Sequence, residues 1–181
     1  NTCGVTSTDF IKVGDTIIDE GDYSGPGGAR MLLRHPQTQV ALLEVARGGL
    51  LRRGLPVPKV DAALITNIAS DHLGQYGINT LEALTQAKGI VAKGLDNGPL
   101  ILNADDEHLV QFGDASSKNL CWFALSASNP KIQFALNNKR PCCYVEQGVI
   151  TYFDGDKQQA IIAVDQIPIT IGGAAKHNVQ N

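Results

Sequence analysis

Short apolar runs that stop at polar or glycine-rich turns organise the first two thirds of the chain. Val40-Ala-Leu-Leu-Glu44-Val45 runs into Ala46-Arg47-Gly48-Gly49, and Asp61-Ala-Ala-Leu-Ile-Thr66 runs into Asn67-Ile-Ala-Ser-Asp71-His72. A third run, Pro99-Leu-Ile-Leu-Asn103, meets Ala104-Asp105-Asp106. Uninterrupted apolar runs of this length, separated by helical stretches, predict buried parallel strands of one α/β sheet. A helix-like piece closes at Leu32 and Leu33 before the first run, and another begins between Gly49 and Gly54 before the second. The clearest helix lies between the second and third runs. Thr80 supplies its N-cap, and Glu82 sits in the first turn, where the helix dipole favours a carboxylate. At about 100° per residue, Leu81, Leu84, Lys88, Val91, Ala92 and Leu95 share one face, with Glu82, Gln86 and Lys93 opposite. The segment Gly94 to Gly98 ends it.

Beyond about Leu120 the pattern shifts to short strands spaced by turn residues. They are Cys121–Ala124, Cys143–Val145, Val149–Phe153, Ala160–Val164 and Ile167–Ile171. The turns include Asn137-Asn138, Gln147-Gly148 and Asp154-Gly155-Asp156, and the series predicts a small antiparallel sheet beside the main one. The expected fold class is α/β: a mostly parallel central sheet flanked by helices, plus that small antiparallel sheet. No internal repeat or linker interrupts the chain, so residues 1–181 read as one domain.

Composition narrows the function classes. The 181 residues are 43% hydrophobic, enough for a sizeable core. A net charge of -3 and the absence of any Lys/Arg-rich run exclude a nucleic-acid binder. No apolar stretch approaches the roughly 18 residues of a membrane span, and no signal-peptide pattern opens the chain. Cys3, Cys121, Cys142 and Cys143 suit neither a zinc knuckle nor a disulfide framework, and they read as reduced thiols of a cytoplasmic protein. Asn1 lies within two residues of a strand, and His177-Asn178-Val179-Gln180-Asn181 closes no element. Both ends therefore read as cut from a longer polypeptide.

In open parallel sheets, ligands bind beyond the carboxyl ends of the strands. There the sequence places Glu44, then Asn67, Asp71 and His72, then Asn103, Asp105 and Asp106, all expected on one rim. Glu44 closes a strand that reads as buried, and such a carboxylate needs a cation or donors around it. It either pairs with Arg47 or Arg30, or it ligates magnesium, which prefers oxygen donors and phosphates. His72, in the loop after a strand, is either structural or a ligand. Lys88 lies among leucines. Such a lysine snorkels its ammonium to the surface, or desolvation leaves a neutral amine able to take up carbon dioxide as a metal-bridging carbamate. Asp105 or Asp106 also suits a helix N-cap. Asn178 and Asn181, three residues apart, offer amides to a purine edge. The stretch Ser24-Gly25-Pro26-Gly27-Gly28 lacks a following Lys-Ser/Thr and reads as a turn, not a phosphate loop. Arg52 and Arg53 read as solvated. No G-x-G-x-x-G follows the first strand with an acid about 20 positions on, which excludes a nicotinamide-dependent oxidoreductase.

Taken together, these segments resemble the central, ATP-binding domain of the Mur ligase superfamily. The matching pieces are Thr6-Ser7-Thr8-Asp9, Ser24-Gly25-Pro26 through Ala29-Arg30-Met31, Leu43 through Gly49, and Asn67-Ile68-Ala69-Ser70-Asp71-His72-Leu73-Gly74. Gly77 through Glu82, Ala87-Lys88, Leu102 through Asp106 and His177 through Asn181 complete the series. They follow the family's order along nearly the whole chain, and Ala46-Arg47-Gly48-Gly49 with Ser24-Gly25-Pro26 set it apart from the peptidoglycan and folate branches, toward the branch that joins aspartate and arginine. The resemblance implies an ATP-dependent acid–amino-acid ligase with ATP and Mg2+ as cofactors. Glu44 and His72 would ligate magnesium, with Lys88, carbamylated, as the third catalytic and metal-binding group. Asn178 and Asn181 would lie near adenine, and Arg30 and Arg47 would meet a substrate carboxylate. Asp105 and Asp106 would be mainly structural. The implied partners are ATP and an amino-acid or peptide substrate, with a homo-oligomer open and neither nucleic acid nor membrane. The family's Gly-Lys-Thr/Ser phosphate loop is absent from these residues and is expected before Asn1, as the family's C-terminal domain is expected beyond Asn181. The fragment alone is therefore expected to be nearly inactive. The competing reading is a degenerate, non-catalytic nucleotide- or peptide-binding module with a Mur-like fold.

Overall fold

The computed structural model describes residues 1–70, 73–172 and 175–180. The chain divides into two compact units, one of Asn1–Val60 with Gly74–Gly77 and one of Asp61–Leu73 with Ile78–Asn181.

In the first unit, β1 (Cys3–Thr6), β2 (Phe10–Val13) and β3 (Thr16–Glu20) form an antiparallel meander. β4 (Val40–Leu43) pairs in parallel with the other edge of β1, giving the order β3-β2-β1-β4. The tight turn between β2 and β3 is Gly14-Asp15, with Gly14 at φ 57°, the left-handed conformation that two-residue hairpins need. α1 (Pro26–Leu33) opens with proline at its first turn, where no backbone N–H is needed. It lays Leu32 against Ile11 and Val13, with Tyr23, Ala41 and Leu43 packed around them. A Cβ at Gly28 would lie 2.2 Å from the Tyr23 carbonyl oxygen, so glycine alone lets the chain enter the helix this closely. α2 (Arg47–Arg53) follows β4.

The second unit holds a six-stranded sheet in the order β10-β9-β8-β7-β6-β5. β5 (Ala63–Ile65), β6 (Leu100–Asn103), β7 (Leu120–Ala124) and β8 (Cys142–Glu146) are parallel. β9 (Val149–Phe153) and β10 (Gln158–Ala163) extend it antiparallel. The crossovers are α3 (Leu81–Lys88), continued by a 3-10 stretch over Gly89–Gly94, α4 (Glu107–Asp114) and α5 (Pro130–Asn137). Leu84, Leu100, Leu102, Leu109 and Ile132 are fully buried between sheet and helices. No helix among the described residues is long and apolar enough to cross a membrane.

The mostly parallel, helix-flanked sheet with a smaller sheet is as expected, but its parts are distributed differently. The small sheet is the N-terminal one. Cys121–Ala124 and Cys143–Val145, read as antiparallel, lie in parallel strands because α5 crosses between them. The signals for α5 are local: the Asn129 side chain accepts from the Lys131 N–H at 2.9 Å, and Pro130 occupies the first turn. Ile167–Ile171, read as a strand, contains a 3-10 turn at Pro168–Thr170 instead. Pro168 has no N–H for a ladder, and the Thr170 hydroxyl is within 2.7 Å of both the Val164 and Ile167 carbonyls. The first apolar run also leaves the expected single sheet: β4 pairs with β1, while β5 and β6 pair in the six-stranded sheet.

Within α4, a Cβ at Gly113 would lie 2.4 Å from Cη2 of Trp122 and 2.9 Å from Cδ1 of Leu102. Gly113→Ala should therefore cost about 1–3 kcal/mol through overpacking, outweighing the roughly 0.5–1 kcal/mol gained from helix propensity. A melting temperature unchanged or raised in Gly113→Ala would contradict this packing.

Candidate functional site

The parallel pairing of β1 and β4 aligns Thr6 with Leu43, so the residues that follow both strands emerge at one end. There the Thr8 N–H donates to Oε2 of Glu44 at 2.9 Å, and the Thr8 hydroxyl donates to Oε1 at 2.8 Å. The expected burial of Glu44 is corrected. Glu44 is exposed, and β4 shows every second residue to solvent, Val40 at 48% and Leu42 at 60%. Hydrogen bonds, not burial, fix its carboxylate. Each oxygen takes one donor, and a carboxylate offers about four acceptor positions, so outward lone pairs remain. A fixed carboxylate beside a hydroxyl is a hard-oxygen set that fits a magnesium-like cation. Among the described residues no three His, Cys, Asp or Glu gather into a group that could hold a metal unaided.

Of the expected substrate-binding arginines, Arg30 is exposed on α1, where it lines a groove with Arg34 and His35. Arg47 opens α2 and donates through Nη2 to Oε1 of Gln75 at 2.7 Å. Its guanidinium carbon also lies 5.9 Å from the centre of the Tyr76 ring. Arg52, read from the sequence as merely solvated, lies 5.6 Å from the same ring and donates from Nε to the Gly48 carbonyl at 3.0 Å. No residue of α2 signals this cluster in the sequence; in the structure Tyr76 lies between Gly74 and Gly77, both at positive φ.

In the second unit, Lys88 ends α3 half-buried, and its Nζ donates to the Asn67 carbonyl at 2.8 Å. The ammonium neither runs out to water nor sits among leucines alone; it returns to the backbone just past the carboxyl end of β5. The N–H of that same peptide, on Ile68, donates to Oδ2 of Asp106 at 2.6 Å. The other oxygen of Asp106 accepts from the His108 and Leu109 N–H groups at 3.0 and 3.1 Å, capping α4. Buried Asn103 donates to the Thr66 carbonyl and accepts from the Asp105 N–H, both at 2.9 Å. Asp105 in turn accepts from the Leu125 N–H at 2.7 Å and from Nδ2 of Asn129 at 2.9 Å. These acids tie strand ends to helix starts. Asn178 donates from Nδ2 to the Ile169 carbonyl at 2.6 Å. His72, with its neighbour Asp71, and Asn181 lie outside the described residues.

All four cysteines are free. Burial, more than any neighbouring charge, pushes the Cys121 thiol up to about 12 and the Cys142 thiol up to about 11, and raises Cys143 as well. These thiols stay protonated at neutral pH and are poor nucleophiles.

Comparison with known proteins gives a consistent answer. A model of the Mur ligase middle domain matches residues 20–181. The cyanophycin synthetase of Geminocystis herdmanii is 36% identical over 179 residues, which cover 98% of this chain and 20% of that protein. The cyanophycin synthetase of a Synechocystis species is 34% identical over 181 residues, 99% of this chain and 21% of that protein. The chain thus spans about a fifth of the length of these relatives. In fold it is similar to a UDP-N-acetylmuramoyl-L-alanyl-D-glutamate–2,6-diaminopimelate ligase, with a TM-score of 0.63 at 15% identity, covering 99% of this chain and 38% of that one. A bifunctional folylpolyglutamate synthase/dihydrofolate synthase, solved with Mn, AMPPNP and L-glutamate bound, gives a TM-score of 0.58 at 18% identity, covering 98% and 46%.

Proposed function

Because this chain belongs to the Mur ligase family, as its middle domain, we propose that it is the ATP-binding part of an amide-bond-forming ligase that extends a peptide of aspartate and arginine. The observation that carries this reading is the clamp on Glu44, whose two carboxylate oxygens are each fixed by Thr8 and still have outward lone pairs. In the reaction, a substrate carboxylate attacks the γ-phosphate of ATP, giving an acyl phosphate and ADP. An amine then attacks the acyl carbon, and phosphate leaves as the amide forms and a proton is released. Magnesium, when bound, supplies charge neutralisation for the phosphates and the attacking carboxylate. Glu44 would hold the first ion, and His72 the second. Lys88, as a carbamate, would add an oxygen ligand, and the Asn67 carbonyl keeps its Nζ near the carboxyl end of β5. Asn178 and Asn181 would face adenine; Asn178 spends one amide donor on Ile169 and offers Oδ1 as the acceptor. Arg30 and Arg47 would meet substrate carboxylate.

The test uses the full-length protein from which this segment comes, incubated with ATP, magnesium, an aspartyl peptide and arginine. Formation of ADP and a peptide one arginine longer is expected, with Glu44→Gln lowering the rate by about 10²-fold or more. The 181-residue segment by itself should be nearly inactive, since no Gly-Lys-Thr/Ser turn within it can cradle the phosphates. ATP binding without product in the full-length protein would favour the other reading, a Mur-like binding module.

A further inference from the structure

The Arg52 side chain is built as a fixed fork. Its Nε is anchored on the Gly48 carbonyl at 3.0 Å, one helical turn back along α2, and its guanidinium carbon lies 5.6 Å from the centre of the Tyr76 ring. Both contacts leave the two terminal Nη groups without a hydrogen-bond acceptor among the described residues. Arg47 shares the ring at 5.9 Å, but its Nη2 is engaged by Gln75 at 2.7 Å. One fork is pinned and the other is offered.

Tyr76 makes this arrangement possible at a conformational cost. It sits at φ 57°, a left-handed conformation that bulky residues adopt only where their surroundings hold them, with Gly74 at φ 84° and Gly77 at φ 76° on either side. Yet Tyr76 is 54% exposed, so core packing does not explain its position. The contacts that do hold it are the two guanidiniums, attracted by the electron-rich ring face, and the small residue Gly48 beneath. A Cβ at Gly48 would come to 3.6 Å of the Tyr76 ring and hydroxyl. Two cations on one ring raise the local positive potential, and a planar fork with two parallel N–H donors matches a carboxylate.

We infer that Arg52 receives a carboxylate of the acid substrate other than the one being activated, and that Tyr76 is the residue that positions it. This inference rests on the ligase reading above. An aspartyl chain end carries two carboxylates. Activating one selectively requires the other to be held, because the activated group gives up its two equivalent carboxylate oxygens when it becomes an acyl phosphate and its negative charge moves to the phosphoryl oxygens.

The experiment is calorimetry on the full-length protein with tri-aspartate and with tri-aspartate C-terminal amide. The unmodified protein should bind the acid about tenfold more tightly than the amide. Arg52→Ala should erase that preference, and Arg52→Lys should too, because an ammonium keeps the charge but not the two-pronged geometry. Tyr76→Phe keeps the ring and should keep the preference, whereas Tyr76→Leu should weaken acid binding severalfold. Melting curves establish that each variant is folded, and affinity for AMPPNP should be unchanged in all four. A preference that survives in Arg52→Ala would overturn the inference, as would a loss of AMPPNP affinity in its place. If tri-aspartate binds with this preference but no amide forms in the unmodified protein, the ligase reading fails and the carboxylate site stands.

Discussion

Replacing Lys88 by alanine in the full-length protein is expected to lower the rate of amide formation by about 10²–10³-fold, the usual loss when a preorganised charge at a reacting centre is removed. The expectation depends on what Lys88 is. As a plain ammonium it is a cation hydrogen-bonded to the Asn67 carbonyl, and arginine would serve nearly as well. As a carbamate it is an anion: the neutral amine attacks carbon dioxide, an N–C bond forms and a proton is lost. A guanidinium does not take up carbon dioxide in this way, so Lys88→Arg should be as impaired as Lys88→Ala. A small carboxylate such as formate or acetate should then restore part of the activity of Lys88→Ala, by placing an anion where the carbamate would be. Activity near normal in Lys88→Arg, or no rescue at any carboxylate concentration, would make Lys88 a structural cation. The KM for ATP is expected to move little.

Lys88 also illustrates what the sequence discloses. Its face was readable because, of the apolar side read from the period, Leu84, Ala92 and Leu95 are buried while Glu82, Gln86 and Lys93 are exposed; the period did not show that the α-helix ends at Lys88 and passes into a 3-10 stretch before Ala92 and Leu95. β5 and β6 were readable for the same kind of reason: short apolar runs bounded by turn residues. Where the chain crosses back was less visible. The turn residues before α5 resemble a loop as much as a helix start, so β7 and β8 were read as a hairpin and not as parallel neighbours. Exposed elements carried still less signal. β3 has all five residues exposed, including Ile17 and Ile18, and alternation without burial does not distinguish a strand from a loop. Glu44 was misjudged because four apolar neighbours indicate burial only if both faces of the strand are covered. Arg52 was missed because nothing in α2 sets it apart; its orientation depends on Tyr76, which is distant in sequence. Asp106, by contrast, announced its cap but not its second bond.

That second bond underlies the largest expected loss of stability. Asp106→Ala removes the N-cap of α4, worth about 0.5–2 kcal/mol, and leaves the N–H of nearly buried Ile68 unpaired, a further cost of about 1–3 kcal/mol. A fall in melting temperature on the order of 10 °C is expected. Asp106→Asn should recover the cap, for which the two residues are equivalent, but its single acceptor oxygen cannot serve both α4 and Ile68. Its melting temperature should therefore fall between the other two. Stability is only part of the consequence. The Ile68 N–H and the Asn67 carbonyl belong to one planar peptide, so the carboxylate that fixes one end fixes the other, and Lys88 is bonded to that other end. A peptide that donates to an anion is also a stronger acceptor toward the Nζ–H of Lys88, a donor that remains when that nitrogen carries a carbamate. Asp106→Asn, assayed at a temperature where it is fully folded, should therefore lose about tenfold in kcat with the KM for ATP unchanged. A folded Asp106→Asn variant with normal kcat would confine Asp106 to holding β5 and α4 together.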